Sequence, residues 1–127
     1  MAALVADTSS WISFLSGSGS NRLADALARG EVHLPPIVLA ELLSGKMSER
    51  DRDALERSLD GLPLSGSDRE HWTRVGRLRA RLAGRGVTLT IPDAHVAQSA
   101  LDLGAELLTE DGVFALAARH LPLRLVT

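Results

Sequence analysis

A chain of 127 residues can bury one hydrophobic core without covalent staples, and the lack of any cysteine excludes disulfides, thiolate catalysis and cysteine-ligated zinc. With 45% hydrophobic and 24% charged residues the composition is that of a globular protein, and 3% aromatics leaves the core to Leu, Val, Ile and Ala. A net charge of −2 excludes a uniformly basic nucleic-acid binder, so any contact with phosphates has to come from a local patch.

In chain order, Leu4-Val5-Ala6 predicts a short buried strand, and Asp7-Thr8-Ser9-Ser10 behind it is a capping cluster for a helix through Trp11, Ile12, Phe14 and Leu15. A Gly-Ser loop over 17–20 leads to a helix over 21–29, closed by Gly30. A second strand is expected over 32–34, then a helix opened by Pro35-Pro36 and ended by Gly45, then another over 48–59. Residues 62–64 read as an extended edge piece. Ser67 and Glu70 stand at capping-box spacing, which predicts a long helix from 68 to about 83 with Trp72, Val75, Leu78 and Leu82 on its apolar face.

Residues 87–91 are rich in β-branched side chains but run into Pro92, which predicts a loop or edge strand. Pro92-Asp93 begins a helix that ends near Gly104, and a strand follows over 106–109. Asp111-Gly112 turns into a helix through Phe114, and residues 123–126 form the last strand. Short apolar strands alternating with helices predict a mostly parallel sheet covered on both faces, within one domain spanning 1–127. The apolar start stops at Asp7 without a basic leader, and the apolar stretch over 35–43 is short and interrupted by Glu41. Neither a signal peptide nor a membrane span is expected, and the cytoplasm is the expected compartment.

In such sheets ligands gather beyond the carboxyl ends of the strands. Asp7 and Asp111 follow two of the predicted strands, and Asp93 lies in a first helical turn that can project over the same edge. Glu41 sits in a helix that is apolar on nearly every side, so its carboxylate either reaches solvent or has a partner. Crowded carboxylates repel one another unless a cation is present, and oxygen-only sites suit Mg²⁺ or Mn²⁺. Thr8, Ser9 and Thr109 are placed to hold these carboxylates, or a water, by hydrogen bonds. Each acid also has a purely structural reading: Asp7 as a helix cap, Asp93 as a complement to a helix dipole, Asp111 as a turn residue. Between positions 69 and 85 stand six arginines, at 69, 74, 77, 79, 81 and 85, against a single acid, Glu70. Such a face is either solvated or a groove for phosphates.

These residues resemble the PIN-domain family, and within it the VapC-like toxins. Asp7 with Ser9 two residues on is similar to the family's first motif. Glu41 in its helix looks like the second, Asp93-Ala94-His95-Val96-Ala97 the third, and Thr109-Glu110-Asp111 followed by Phe114 the fourth. The likeness runs nearly the whole chain. Gly112 stands where a charged residue is more usual, and His95 and Gln98 where aliphatics are common; the latter pair is read as bearing on substrate contacts.

The resemblance implies a three-layer α/β/α sandwich and hydrolysis of RNA phosphodiesters with Mg²⁺ or Mn²⁺. Asp7, Glu41, Asp93 and Asp111 would be the catalytic, metal-binding acids, with Ser9 and Thr109 as supporting hydroxyls. It further implies a homodimer, a small VapB-like antitoxin as partner, and transfer or ribosomal RNA as target. Arg74, Arg77 and Arg81 are the expected phosphate contacts. Replacing Asp7 or Asp93 by Asn is expected to abolish cleavage and leave the fold intact. The alternative is a catalytically degenerate PIN domain that only binds RNA or a partner. An aspartate-based phosphatase of the haloacid dehalogenase type would need a second Asp where Ser9 stands, and a receiver domain would need paired early acids and a late lysine.

Overall fold

The computed structural model describes residues 2–127. The strands β1 (Leu4–Ala6), β2 (Val32–His33), β3 (Glu106–Leu108) and β4 (Arg124–Val126) form one parallel sheet in the order β2-β1-β3-β4. Leu4 faces both Val32 and Glu106, and Leu108 faces Val126, so the carboxyl ends of β1, β3 and β4 lie along one edge. Every residue of β1 is buried, as are Leu107 and Leu108, which is why these strands read as apolar runs rather than alternating ones.

Helices α1 (Thr8–Leu15) and α2 (Arg22–Ala28) connect β1 to β2; α3 (Pro36–Leu43), α4 (Glu49–Leu59), α5 (Arg69–Ala83) and α6 (Ile91–Leu103) connect β2 to β3; α7 (Val113–Ala118) connects β3 to β4. The chain moves to one side of β1 for β2 and to the other for β3 and β4. Because parallel crossovers are right-handed, connections running in opposite directions cover opposite faces, which gives the three-layer α/β/α sandwich. One continuous hydrophobic core runs from Leu4 and Val5 through Val38, Leu78, Leu82 and Ala97 to Phe114. Among the described residues no helix is long and apolar enough to cross a membrane.

Local chemistry sets the ends. Gly104 closes α6 in the left-handed conformation at φ 62°, where a side chain would be strained. Residues 87–90 form neither strand nor edge. Val87 and Leu89 instead plug the core from an extended loop, and the Thr90 hydroxyl accepts the Asp93 N–H at 3.2 Å, so α6 starts at Ile91 with Pro92 in its first turn. Residues 62–64 contribute only a parallel bridge between Leu34 and Leu64, secured by Leu34 N–H donating to the Pro63 carbonyl at 2.8 Å.

The long helix departs from its sequence reading in cap and phase. Asp68, not Ser67, caps α5, accepting the His71 N–H at 3.3 Å. The buried stripe is His71, Val75, Leu78 and Leu82, whereas Trp72 is 38% exposed. A polar ring takes the buried place because α6 supplies partners for it. His71 Nδ1 lies 3.0 Å from Asp102 and its Nε2 lies 2.7 Å from His95 Nδ1. Trp72 lies flat over the His95 ring, with centroids 4.6 Å apart. His95 and Gln98 thus face α5 rather than a substrate, because they lie on the α6 side turned away from Asp93. Gln98 donates to Asp102 at 2.8 Å.

Candidate active site

Beyond the end of β1, Asp7 is the N-cap of α1 and is only 5% exposed. Its Oδ1 accepts the Ser10 backbone N–H and the Ser9 hydroxyl, both at 2.9 Å, and its Oδ2 accepts the Thr109 hydroxyl at 2.5 Å. Thr109 ends the neighbouring strand because Asp7 N–H donates to the Leu108 carbonyl, which holds the two strand ends in register. The Thr109 oxygen also accepts the Asp111 N–H at 3.0 Å, so one hydroxyl ties the positions of two acids together. Asp111 in turn accepts the Val113 N–H at 3.0 Å and starts α7. The structural readings of Asp7 and Asp111 therefore hold alongside the chemical one.

Glu41 is exposed on the outer side of α3, and the Thr8 hydroxyl donates to its Oε1 at 2.7 Å. The carboxylate has both solvent and a partner, which resolves its place in an apolar helix. Asp93 is half-buried on the first turn of α6. Desolvation raises its pKa above the ordinary carboxylate value; the Thr90 hydroxyl opposes that, and the negative charges of Asp111, Asp7 and Glu41 push it further up. The four acids, drawn from α1, α3, α6 and the turn before α7, thus lie within electrostatic reach of one another.

None of the four takes part in an ion pair among the described residues. Nor do any three acidic or imidazole side chains there meet closely enough to chelate a cation as they stand. Both facts fit one cause: like charges without a counterion stand apart, and Asp7 is turned toward its hydroxyl partners. The donor set is all oxygen, unneutralised and partly desolvated, and this suits a hard divalent cation with waters completing its shell.

The arginines of α5 divide. Arg74 grips Asp102 with Nε at 3.0 Å and Nη2 at 2.9 Å, and Arg79 donates to the Leu89 carbonyl at 2.8 Å. Asp102 lies at the far end of α6, roughly 13 Å along the helix from Asp93. Arg74, expected as a phosphate contact, is thus engaged by an internal partner while its side chain stays 45% exposed. Arg77 and Arg81 are exposed and make no hydrogen bond or ion pair among the described residues. Sequence reading also passed over Glu110, whose carboxylate accepts the Ser13 hydroxyl at 2.9 Å beside the acidic edge. Its place between Thr109 and Asp111 was the only signal.

A parallel α/β/α sandwich with acids at the carboxyl edge of its sheet defines a PIN-like fold class. Residues 4–120 match the PIN domain, and the chain belongs to the PIN domain family. Ribonuclease VapC11 of Mycobacterium tuberculosis and VapC ribonuclease Mb1587 of Mycobacterium bovis are each 31% identical to it over 125 residues, covering 91% of this chain and 92% of the relative. Among solved structures, the DNA-bound VapBC of Salmonella typhimurium matches with a TM-score of 0.79 at 21% identity, over 99% of this chain and 98% of that one. VapBC2 of Rickettsia felis, bound to a DNA fragment from its promoter, matches with a TM-score of 0.77 at 20% identity, over 98% and 97%. These two likenesses concern the fold.

Proposed function

We propose that the chain, as a single PIN-like domain, is the endoribonuclease toxin of a toxin–antitoxin pair and hydrolyses RNA phosphodiesters with Mg²⁺ or Mn²⁺. What supports this reading is that Asp7, Glu41 and Asp111 lie within electrostatic reach of Asp93 with no ion-pair partner among the described residues, in a chain whose curated relatives are VapC ribonucleases.

Asp7, Glu41, Asp93 and Asp111 would hold the cation. Bound there, a divalent ion neutralises charge on the attacked phosphate and makes a water nucleophilic at neutral pH. The chain's own residues prepare that site. Ser9, Ser10 and Thr109 fix both oxygens of Asp7, and Thr8 orients Glu41. Asp93, whose pKa is raised by desolvation and by the neighbouring carboxylates, would gain from a bound counterion. Arg77 and Arg81 supply phosphate contacts from the exposed face of α5. Transfer or ribosomal RNA is the target class, the chain pairs as a homodimer in the cytoplasm, and a VapB-like antitoxin silences it by covering the acidic edge. The likeness to solved VapBC toxin–antitoxin structures supports the partner.

The test is incubation of total RNA with antitoxin-free chain in Mn²⁺, Mg²⁺ or EDTA. Discrete cuts that need the metal are expected. Uncut RNA from a folded chain, with RNA still bound, would point instead to a degenerate binding domain.

A further inference from the structure

A second cavity opens beside the acidic edge, between α1, the loop before α2 and the ends of β3 and β4. It holds about 270 Å³ and is lined by Ser10, Ser13, Phe14, Ser20, Leu23 and Glu110, among others. Among the described residues no basic side chain lines it, so its chemistry does not suit a phosphate. Leu23 and Leu108 supply apolar surface, and Phe14, half-buried, supplies an aromatic one. The loop forming its rim is folded back on α1: Ser18 N–H and Gly19 N–H both donate to the Ser13 carbonyl, at 2.9 and 3.1 Å. A Cβ at Gly19 would press on the α1 backbone at 3.2 Å, so glycine allows this close approach.

Glu110 is the one ionisable side chain on the wall. The Ser13 hydroxyl holds its Oε2 at 2.9 Å, while Oε1 accepts nothing among the described residues. This carboxylate is thus an oriented double acceptor, and it lies on the same short turn as Thr109 and Asp111. Single-stranded RNA is read by stacking bases on aromatic side chains and bonding their Watson–Crick edges. A carboxylate only accepts. Among the four bases only guanine offers two adjacent N–H donors on that edge; adenine, cytosine and uracil each place an acceptor beside their single donor group.

We propose that the cavity under Glu110 and Ser13 is a nucleobase subsite that selects guanine next to the scissile phosphate. This rests on the nuclease reading for its purpose but not for its binding chemistry. The Ser13 hydroxyl sets the rotamer of Glu110, and Glu110 reads guanine N1–H and N2–H.

The test separates binding from cutting. In the Asp93→Asn background, anisotropy is measured with labelled single-stranded RNAs carrying guanine, inosine or adenine at each position in turn. At one position guanine should bind about 10-fold tighter than inosine or adenine, and Glu110→Ala should erase the difference. Inosine is informative because it lacks only the N2 amino group. Equal affinities in the presence of Glu110, or selectivity that survives Glu110→Ala, would overturn the proposal. In the parallel arm, cut sites of the unmodified chain with Mn²⁺ should share a guanine at one fixed position. Metal-dependent cuts without that guanine would overturn the subsite and spare the nuclease; guanine-selective binding with no cutting would support the subsite and sink the nuclease.

Discussion

Asp93 and Asp102 stand at opposite ends of the same helix, and their surroundings push them in opposite directions. At Asp93 desolvation and the neighbouring charges of Asp111, Asp7 and Glu41 raise the pKa. At Asp102 partial burial also pushes upward, but hydrogen bonds from Arg74, His71 and Gln98 outweigh it and hold the carboxyl below its ordinary value. One end of α6 gathers charge that the fold does not neutralise; the other gathers charge that it neutralises completely. Unneutralised charge costs stability and persists where something outside the chain answers it, which makes it a mark of function. Satisfied charge in a helix–helix seam is a mark of packing, even when the residues involved are histidines that would draw the eye in an enzyme.

The largest effect should come from breaking the acidic end. Asp93→Asn is expected to lower RNA cleavage about a thousandfold, several kcal/mol of lost transition-state stabilisation, measured as single-turnover rates with Mn²⁺. Its unfolding midpoint should not fall, because the substitution removes a carboxylate whose charge the fold disfavours. Asp7→Asn is a poorer probe than its sequence suggests. Asn would keep the cap of α1 but set an amide NH2 where Oδ2 accepts the Thr109 hydroxyl, so that variant should lose about 1 kcal/mol of stability along with activity, readable by urea titration.

Breaking the satisfied end should reverse the pattern. His71→Ala empties a fully buried site and strips partners from His95 and Asp102, at a cost of about 3 kcal/mol in stability, while per-molecule cleavage by the folded fraction stays unchanged.

Acid should act on the same seam. Burial, then the neighbouring His71, lowers the His95 pKa from 6.5 to about 4. The folded state keeps this ring neutral while the unfolded chain protonates it. Its contribution is therefore complete above pH 6.5 and is lost as pH falls toward 4, roughly 2–3 kcal/mol in all. Denaturant midpoints between pH 7.5 and 4.5 should show that slope, and a flat profile would contradict the buried neutral ring.

The smallest effect distinguishes the arginines. Arg77→Ala and Arg81→Ala should each weaken RNA binding by about 0.5–1 kcal/mol and lower the salt slope by about 1. Arg74→Ala should leave RNA affinity alone and reduce stability instead.

The same division explains what could be read before any coordinates. The parallel sheet was legible because β1 is fully buried and Leu107 and Leu108 of β3 are buried, so both strands carry continuous rather than alternating apolar residues. Asp7 and Asp111 were legible through their position after those strands, Asp93 through its place in a first helical turn, and Glu41 as a lone carboxylate in an apolar helix. What stayed hidden depends on tertiary partners. Nothing local tells that His71 rather than Trp72 turns inward, since the reason is Asp102 and His95 on another helix. Nothing local assigns Arg74 to Asp102, or Ser13 to Glu110, because both pairs close over long stretches of chain. The stretch over 87–90 left loop and edge strand both open for a related reason: it proves to be a loop, whose Val87 and Leu89 satisfy the core as plugs without needing a neighbouring strand.

We propose that the acidic end of α6 is a cation site completed from outside. The most direct measurement is the thermal midpoint of the antitoxin-free chain with and without millimolar Mn²⁺, for wild type, Asp93→Asn and His71→Ala. A ligand that binds only the folded state raises the midpoint. Mn²⁺ should raise it in wild type and in His71→Ala and should lose most of that effect in Asp93→Asn. An equal rise in all three, or none in wild type, would contradict the account.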